Sequence, residues 1–418
     1  MRTLDANSAK KRRNQKPRRP SAPIYFLVCL LTRAYFKLFY GLRIDRSAIK
    51  GIKGPVIVLS NHQSNLDFLI VAATAYPIKL NFMVSTYFFH SSMLRFLLNL
   101  MGAFPKHQFI PDTSAIKSAM KVVSRGDNIG IFPEGQVCYS GLNCDIDESI
   151  AKLIKKLNAT TISVAIRGNF LTCPKWSRSQ EVRRGAIESK ATVVVTAEEV
   201  KEMSVGEIAK RAVDAVSYNE YEWQRTRMAK FRPKPRKTDG LEVILYRCPK
   251  CQSNFTIKSR DSEVFCEKCG YKVSLDSYGF FKTPDGSEPI YDNPAEWYRH
   301  QKQNRQQELE NPAALPFVVP CVLHKTIEGK HGYSKCGEGM VTMDGEGLFF
   351  EGTKDGEPFK VSTLYESQTN LPFSAAISGI DLHGENENYA VAPLEPRHMM
   401  YMVEGFAIMS RRARGQKQ

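Results

Sequence analysis

Between residues 52 and 220, unbroken apolar β-type runs alternate with helix-patterned stretches, and this alternation limits the fold more than any other feature. The strand candidates are "PVIVLS" (55–60), "NIGIFP" (128–133), "TTISVAI" (160–166) and "ATVVVT" (191–196). Helical spacing falls near 67–76, 92–101, 114–125, 145–157 and 204–217. Val/Ile runs without a polar alternate predict strands covered on both faces, hence an α/β sheet flanked by helices.

Two polar turns sit at the ends of predicted strands. "SNHQSNLD" (60–67) follows the first, with His62 and Asp67 five residues apart. Within one straight helix such a pair points about 140° apart, so the two side chains meet only if a turn precedes a helix starting near Asp67. "NHQSN" has the turn and N-cap chemistry for that. An ordinary polar turn is the simpler reading. The catalytic reading has the carboxylate hold one imidazole nitrogen while the other accepts a proton. "IFPEGQ" (131–136) again follows an apolar strand, at the carboxyl edge where open α/β sheets bind ligands.

Together, His62-x4-Asp67 and Phe132-Pro133-Glu134-Gly135 resemble the phospholipid/glycerol acyltransferase family, whose best-known members acylate lysophosphatidic acid. "MGAFPKH" (101–107) is similar to the family's second block and "ISVAIRG" (162–168) to its fourth, in the right order, over roughly 40–220. The resemblance implies a glycerolipid acyltransferase-like αβ domain with His62 as general base and Asp67 as its orienting carboxylate. It implies Gly102, Lys106, Glu134 and Gly135 as substrate-binding residues, a lysophospholipid acceptor, above all 1-acylglycerol 3-phosphate, and acyl-CoA or acyl carrier protein as donor. Two departures put the acceptor in question. Lys106, His107 and Gln108 stand where the second block has arginine, and Gln136-Val137-Cys138 stands where the third continues Thr-Arg-Ser. Lys106 can supply charge as a point donor, and another cation could come from Arg167, Arg183 or Arg184, although surface solvation is the commoner fate of such arginines.

Outside that block, "CPKC" (248–251) and "CEKC" (266–269) are separated by fourteen residues, the pattern of a zinc ribbon in which Cys248, Cys251, Cys266 and Cys269 close a structural Zn site. Ten cysteines in 418 residues are too dilute for a disulfide scaffold. Cys321 and Cys336 lack metal spacing and read as packed thiols.

The net charge of +16 calls for an anionic partner. The first twenty residues carry eight Lys or Arg and one Asp, and the apolar "PIYFLVCLLT" that follows is closed by Arg33. No stretch of eighteen residues lacks charge, and no small-residue cleavage site follows, so neither a spanning helix nor a secretory signal is expected. Instead a helix over 23–43, with Arg33 and Lys37 on one stripe, is expected to lie in a bilayer interface behind a basic disordered tail (1–22). The domain plan continues with the acyltransferase domain (44–224), a basic linker (225–240), the ribbon (241–285), a helical connector (286–314) and a β-rich domain (315–411). In this last part, "MDGEG", "TKDGEP" and "LHGENEN" predict hairpin turns. Strands closed by one helix form an order similar to pleckstrin-homology-type barrels, and Met399, Met400, Met402 and Met409 read as core filler.

The expectation is thus a peripheral or monotopic enzyme on the cytoplasmic face of the cell membrane. A zinc ribbon on a basic chain also suits a nucleic-acid binder or a scaffold with a non-catalytic acyltransferase-like domain. Against that, the ribbon sets Lys250, Lys258, Arg260 and Lys268 against Asp261, Glu263 and Glu267, so nucleic acid is not the expected partner.

Overall fold

The computed structural model describes residues 17–178, 182–232, 237–327, 329–374, 379–383 and 388–415. Most of the basic tail (1–16) and part of the linker (233–236) lie outside the described residues. The chain divides into two units, one made of 1–108, 112–174 and 182–232, the other of 109–111, 175–181 and 233–418.

The first unit is built on seven strands: β1 (Arg43–Asp45), β2 (Val56–Ser60), β3 (Leu80–Ser85), β4 (Phe104–Lys106), β5 (Asn128–Ile131), β6 (Thr160–Arg167) and β7 (Glu188–Val195). Their order is β1-β7-β6-β2-β5-β3-β4. From β6 to β4 all neighbours are parallel, whereas β7 runs antiparallel to β6. The helices are α1 (Ala22–Tyr40), α2 (Asp67–Ala75), α3 (Ser92–Leu100), α4 (Thr113–Ser124), α5 (Ser149–Leu157), α6 (Asn169–Thr172), α7 (Ala197–Glu202), α8 (Val205–Val216) and α9 (Glu220–Arg227).

The unbroken apolar run of β2 has a direct cause. Val56 and Val58 face one core with Ile70 and Val71 of α2 and Tyr25, Cys29 and Phe36 of α1. Ile57 and Leu59 face the other, with Ala151 and Ile154 of α5 and Ile208 of α8. Both pleat faces are therefore dry, and each such side chain contributes about 1.5–3 kcal/mol by leaving water. Capping boxes at Thr196–Glu199 and Ser204–Glu207 set the starts of α7 and α8.

Strands β1, β3 and β4 escape a reading by periodicity. β1 and β4 are three residues long, too short to show a period, and β3 ("LNFMVS") places a polar Asn81 inside an apolar run. Residues 17–21 are not loose, as the expected tail would be. The Asn81 amide donates to Arg18 O at 2.6 Å, Arg125 donates to Pro17 O at 2.7 Å, and Ser21 N donates to Leu100 O at 2.9 Å. The expected linker likewise begins inside a helix. Arg225 and Arg227 end α9, and Arg227 pairs with Glu188 at 3.0 Å.

The second unit opens with α10 (Leu241–Ile244), then the antiparallel strands β8 (Ile257–Arg260), β9 (Glu263–Cys266), β10 (Lys272–Leu275) and β11 (Phe281–Lys282) in the order β11-β10-β9-β8. Helix α11 (Pro294–Glu308) is capped by the Asn293 side chain on the Ala295 and Glu296 amides. Then come β12 (Phe317–Thr326), β13 (Tyr333–Met343), β14 (Gly347–Lys354), β15 (Glu357–Leu364), β16 (Phe373–Ser374), β17 (Gly379–His383) and β18 (Asn388–Pro393), followed by α12 (His398–Ala413). These seven strands form one antiparallel sheet in the order β15-β14-β13-β12-β18-β17-β16. The β14–β15 connection is the Asp355-Gly356 pair, with φ of 50° and 90°, the two-residue turn whose twist matches antiparallel strands. Met399, Met400 and Met402 are fully buried on α12.

Candidate active site

The five mutually parallel strands β6, β2, β5, β3 and β4 send their carboxyl ends to one edge of the first sheet. The turn after β2 carries His62, the turn after β5 carries Glu134 and Gly135, β4 ends at Lys106, and β6 ends at Arg167 ahead of Asn169.

The turn 61–66 is set by its polar residues. Asn61 spans the end of β6, its amide donating to Ile166 O and its carbonyl oxygen accepting from Ile166 N, both at 2.8 Å. Helix α2 starts at Asp67, whose Oδ2 accepts from Gln63 N at 2.5 Å and Ser64 N at 2.8 Å. The same oxygen stands 2.8 Å from His62 Nδ1. Two backbone N–H groups on that oxygen identify it as an acceptor, so His62 Nδ1 carries the hydrogen and Nε2 holds the lone pair. The Asp67 carboxylate is wholly buried, while the His62 side chain is 19% exposed. The imidazole stacks on Phe132 at 4.2 Å between centroids, and Phe132 stacks in turn with Phe82.

The Glu134 carboxylate points into the protein interior. It is 1% exposed, and its Oε1 accepts from His62 N at 2.8 Å and Asn143 Nδ2 at 3.3 Å while Oε2 accepts from Cys144 N at 2.7 Å. Burial pushes its carboxyl up to about 8, against the lowering pull of those donors. The expectation of Glu134 as a substrate-binding side chain gives way to one of a brace behind the histidine. Gly102 is corrected for a different reason. It precedes β4, so strand direction puts it at the amino edge of the sheet, opposite His62. Its need for glycine is steric, since φ is +74° and a Cβ would lie 2.7 Å from the Asn81 amide nitrogen.

Gly135 and Lys106 do lie at the carboxyl edge. Gly135 has φ of +70° and its carbonyl accepts from Gln108 Nε2 at 2.7 Å, which ties the loop after β4 to the turn after β5. The Lys106 ammonium donates to His107 O at 3.0 Å, and burial lowers its pKa. Beside it stands a second histidine–aspartate pair of the same spacing, His107 Nδ1 to Asp112 Oδ2 at 3.0 Å. Among the three arginines weighed as substitute cations, Arg167 donates to Ile166 O and Ser217 O and lies over the Tyr218 ring. Arg183 is buried, and Arg184 is exposed.

Sequence reasoning overlooked Gln63, Asn169 and Glu220, three buried residues that close around the dyad. Asn169 Nδ2 donates to Asp67 Oδ1 at 2.5 Å, and Gln63 Nε2 to Glu220 Oε2 at 2.6 Å. Only Gly168, at the end of the fourth block, hinted at something following it. Its φ of +82° and the Ala186 carbonyl 1.9 Å from a would-be Cβ exclude a side chain at the entrance to α6.

In the second unit, Cys248, Cys251, Cys266 and Cys269 bring their sulfur atoms within 4.8 Å of one another. Cys248 and Cys269 are 3.6 Å apart and Cys251 and Cys266 3.8 Å. A tetrahedral shell with metal–sulfur bonds of about 2.3 Å requires sulfur separations of about 3.8 Å, so the cluster can hold a metal ion.

Residues 41–167 match the model of the family described as "Acyltransferase". Among solved structures, the chain is similar to the 1-acyl-sn-glycerophosphate (LPA) acyltransferase, PlsC, from Thermotoga maritima, at 17% identity and a TM-score of 0.41, over 48% of this chain and 80% of that one. It is also similar to the RAN binding domain of the nuclear pore complex component NUP2 from Ashbya gossypii, at 14% identity and a TM-score of 0.18, over 23% of this chain and 94% of that one. With His62, Asp67 and the Glu134 turn all inside the matched range, residues 41–167 are an acyltransferase-family domain.

Proposed function

We propose that this chain is a membrane-surface O-acyltransferase that moves a fatty acyl group from acyl-CoA or acyl carrier protein to a lysophospholipid, with 1-acylglycerol 3-phosphate as the leading acceptor. The observation that carries the reading is the 2.8 Å contact between His62 Nδ1 and a buried Asp67. His62 Nε2 takes the proton of the acceptor hydroxyl as its oxygen attacks the thioester carbonyl. The C–O bond forms, the C–S bond breaks, and the proton passes to the departing thiolate, leaving an ester and a free thiol. Asp67 stabilises the imidazolium formed on the way. No acyl-enzyme forms, so no cysteine nucleophile is required.

The face of α1 supports the membrane part. Tyr25, Cys29, Thr32, Phe36 and Tyr40 are buried along its whole length, while Phe26, Leu27, Leu30, Leu31, Tyr35 and Leu38 are exposed, Leu38 by 77%. By length and composition this 19-residue helix could cross a bilayer. A helix covered by its own domain along one full stripe fits better in the interface plane, with its open stripe in the acyl layer. Met93, Phe96 and Leu97 of α3 add apolar surface, and the Ser21–Leu100 hydrogen bond joins the two helices end to end. Arg33, expected with Lys37 on one stripe of the interfacial helix, instead turns toward the domain, its Nε donating to Ala73 O at 3.0 Å at the end of α2. Lys37 is exposed on the same helix. The protein would then work on the cytoplasmic face, where thiols stay reduced. There Zn is the ion for a closed four-thiolate shell, with a structural role because no coordination position remains open.

The test is a panel of lysophosphatidic acid, other lysophospholipids and glycerol 3-phosphate against both donor types, with His62→Ala as control. Transfer to a lysolipid that disappears in His62→Ala is expected. No transfer to any acceptor, with salt-dependent binding to arbitrary DNA, would replace this reading with the nucleic-acid one. For the membrane part, Leu30→Glu with Leu38→Glu should release the protein from vesicles containing phosphatidylglycerol, and unchanged flotation refutes it.

A further inference from the structure

Glu220 opens α9, more than fifty residues past the end of the matched range, and has no exposed surface. Its Oε2 accepts from Gln63 Nε2 at 2.6 Å. Gln63 cannot turn over, because its Oε1 already accepts from the amides of Asn169 at 3.0 Å and Phe170 at 3.3 Å. Asn169 is held in turn. Its side-chain amide donates to Ser64 Oγ at 2.8 Å and to Asp67 Oδ1 at 2.5 Å, the carboxylate oxygen that His62 does not use. Three separated stretches of chain thus form one buried path, Glu220–Gln63–Asn169–Asp67–His62. Every link in it is 3.0 Å or shorter.

We infer that Glu220 is a positioning residue for the dyad: by fixing the Gln63 amide it sets Asn169, and through Asn169 the rotation of the Asp67 carboxylate that holds the His62 ring. The inference rests on the acyltransferase reading of His62. A carboxyl buried without water is costly unless it is well bonded, and burial pushes this one up to about 7 against the Gly168 and Gln63 donors. An apolar side chain could fill the same buried space at lower cost. What an apolar residue cannot supply is an acceptor for the Gln63 amide. Glu134 braces the same turn from the other side through His62 N, so the histidine is held at its backbone by one acid and through its carboxylate by the other.

The test uses the full chain as Glu220→Ala, Glu220→Gln and Gln63→Met. The readouts are steady-state kinetics on the best lysolipid and the hydrogen-bonded Nδ1–H proton resonance of His62, identified by its loss in His62→Asn. Hydrogen-bond partners that orient metal-binding histidines change activity about 10–100-fold when removed, and the same scale is expected for a partner that orients this dyad. Glu220→Ala should lower kcat by that factor with acceptor KM unchanged and should shift or broaden the Nδ1–H resonance. Glu220→Gln, which keeps an acceptor oxygen, should recover most of both, and adding Glu220→Ala to Gln63→Met should lower kcat no further, because Glu220 acts on the dyad through Gln63. A folded Glu220→Ala with unchanged kcat and an unchanged resonance overturns the inference. Should that variant fail to fold, Gln63→Met decides by the same two readouts. The resonance separates the two claims: a wild-type protein without transferase activity removes the functional reading, while a resonance indifferent to Glu220 and Gln63 removes this one.

Discussion

Asp67→Asn isolates the charge of the dyad from its geometry. In the native site Oδ2 accepts three hydrogens, from Gln63 N, Ser64 N and His62 Nδ1. An amide NH2 cannot occupy that position, because it would face two backbone N–H groups. The asparagine oxygen must sit there, which keeps His62 in its native tautomer. The new NH2 then faces Asn169, whose amide can flip because its other contact, Ser64 Oγ, both donates and accepts. What is lost is the charge-assisted part of one hydrogen bond, about 1.5–3 kcal/mol. At about 1.4 kcal/mol per tenfold, kcat should fall about 10–150-fold. The corresponding Asp→Asn change in a serine-protease triad costs about 10⁴-fold because the wrong tautomer forms; the two backbone donors here should prevent that. The assay is initial-rate acyl transfer at saturating donor with acceptor varied, alongside a thermal melt to confirm folding. A loss near 10⁴-fold would refute the argument from the backbone donors, and a loss below about threefold would refute a role for the carboxylate.

Three further outcomes follow from the geometry. Metal analysis of the purified chain should find one zinc per molecule, and Cys248→Ser should lose it and open the β8–β11 sheet to proteolysis; four alkylatable thiols in a metal-free, protease-resistant protein would contradict this. Gly168→Ala adds a left-handed strain of about 1–2 kcal/mol and a Cβ against Ala186 O, so the melting of the first unit should drop by about 5 °C or more and activity should fall with Asn169; an unshifted melt would show that the turn can relax. Burial raises Glu134 to about 8 and Glu220 to about 7, both above the ordinary 4.5. The stability gained by keeping them neutral is therefore complete below about pH 4.5 and is lost as pH rises through about 7 to 8. Melting temperature should decline across that window, less steeply in Glu220→Gln, and a rise instead would mean that both acids are ionised in the fold.

Periodicity and local chemistry make much of the architecture legible in the sequence itself. Residues 55–60 read as a buried strand because both pleat faces are apolar, and Asp355-Gly356 read as a hairpin because few residues accept two positive φ values. The four cysteines declared their cluster because ligand spacing within each Cys-x-x-Cys turn is a local property. His62 and Asp67 were legible for the same reason, being five residues apart and joined by a single turn.

Strand direction and burial are not local, and these assigned the other roles. Gly102 and Lys106 are four residues apart in sequence yet stand at opposite edges of the sheet, because β4 runs between them. A glutamate in a tight turn can face a ligand or the core, and only packing turned Glu134 inward onto the His62 amide. Glu220 and Asn169 lie over one hundred residues from the dyad they surround. Nothing in their neighbours marks them, since a hydrogen bond depends on distance in space and the chain order carries no record of it until the sheet has closed.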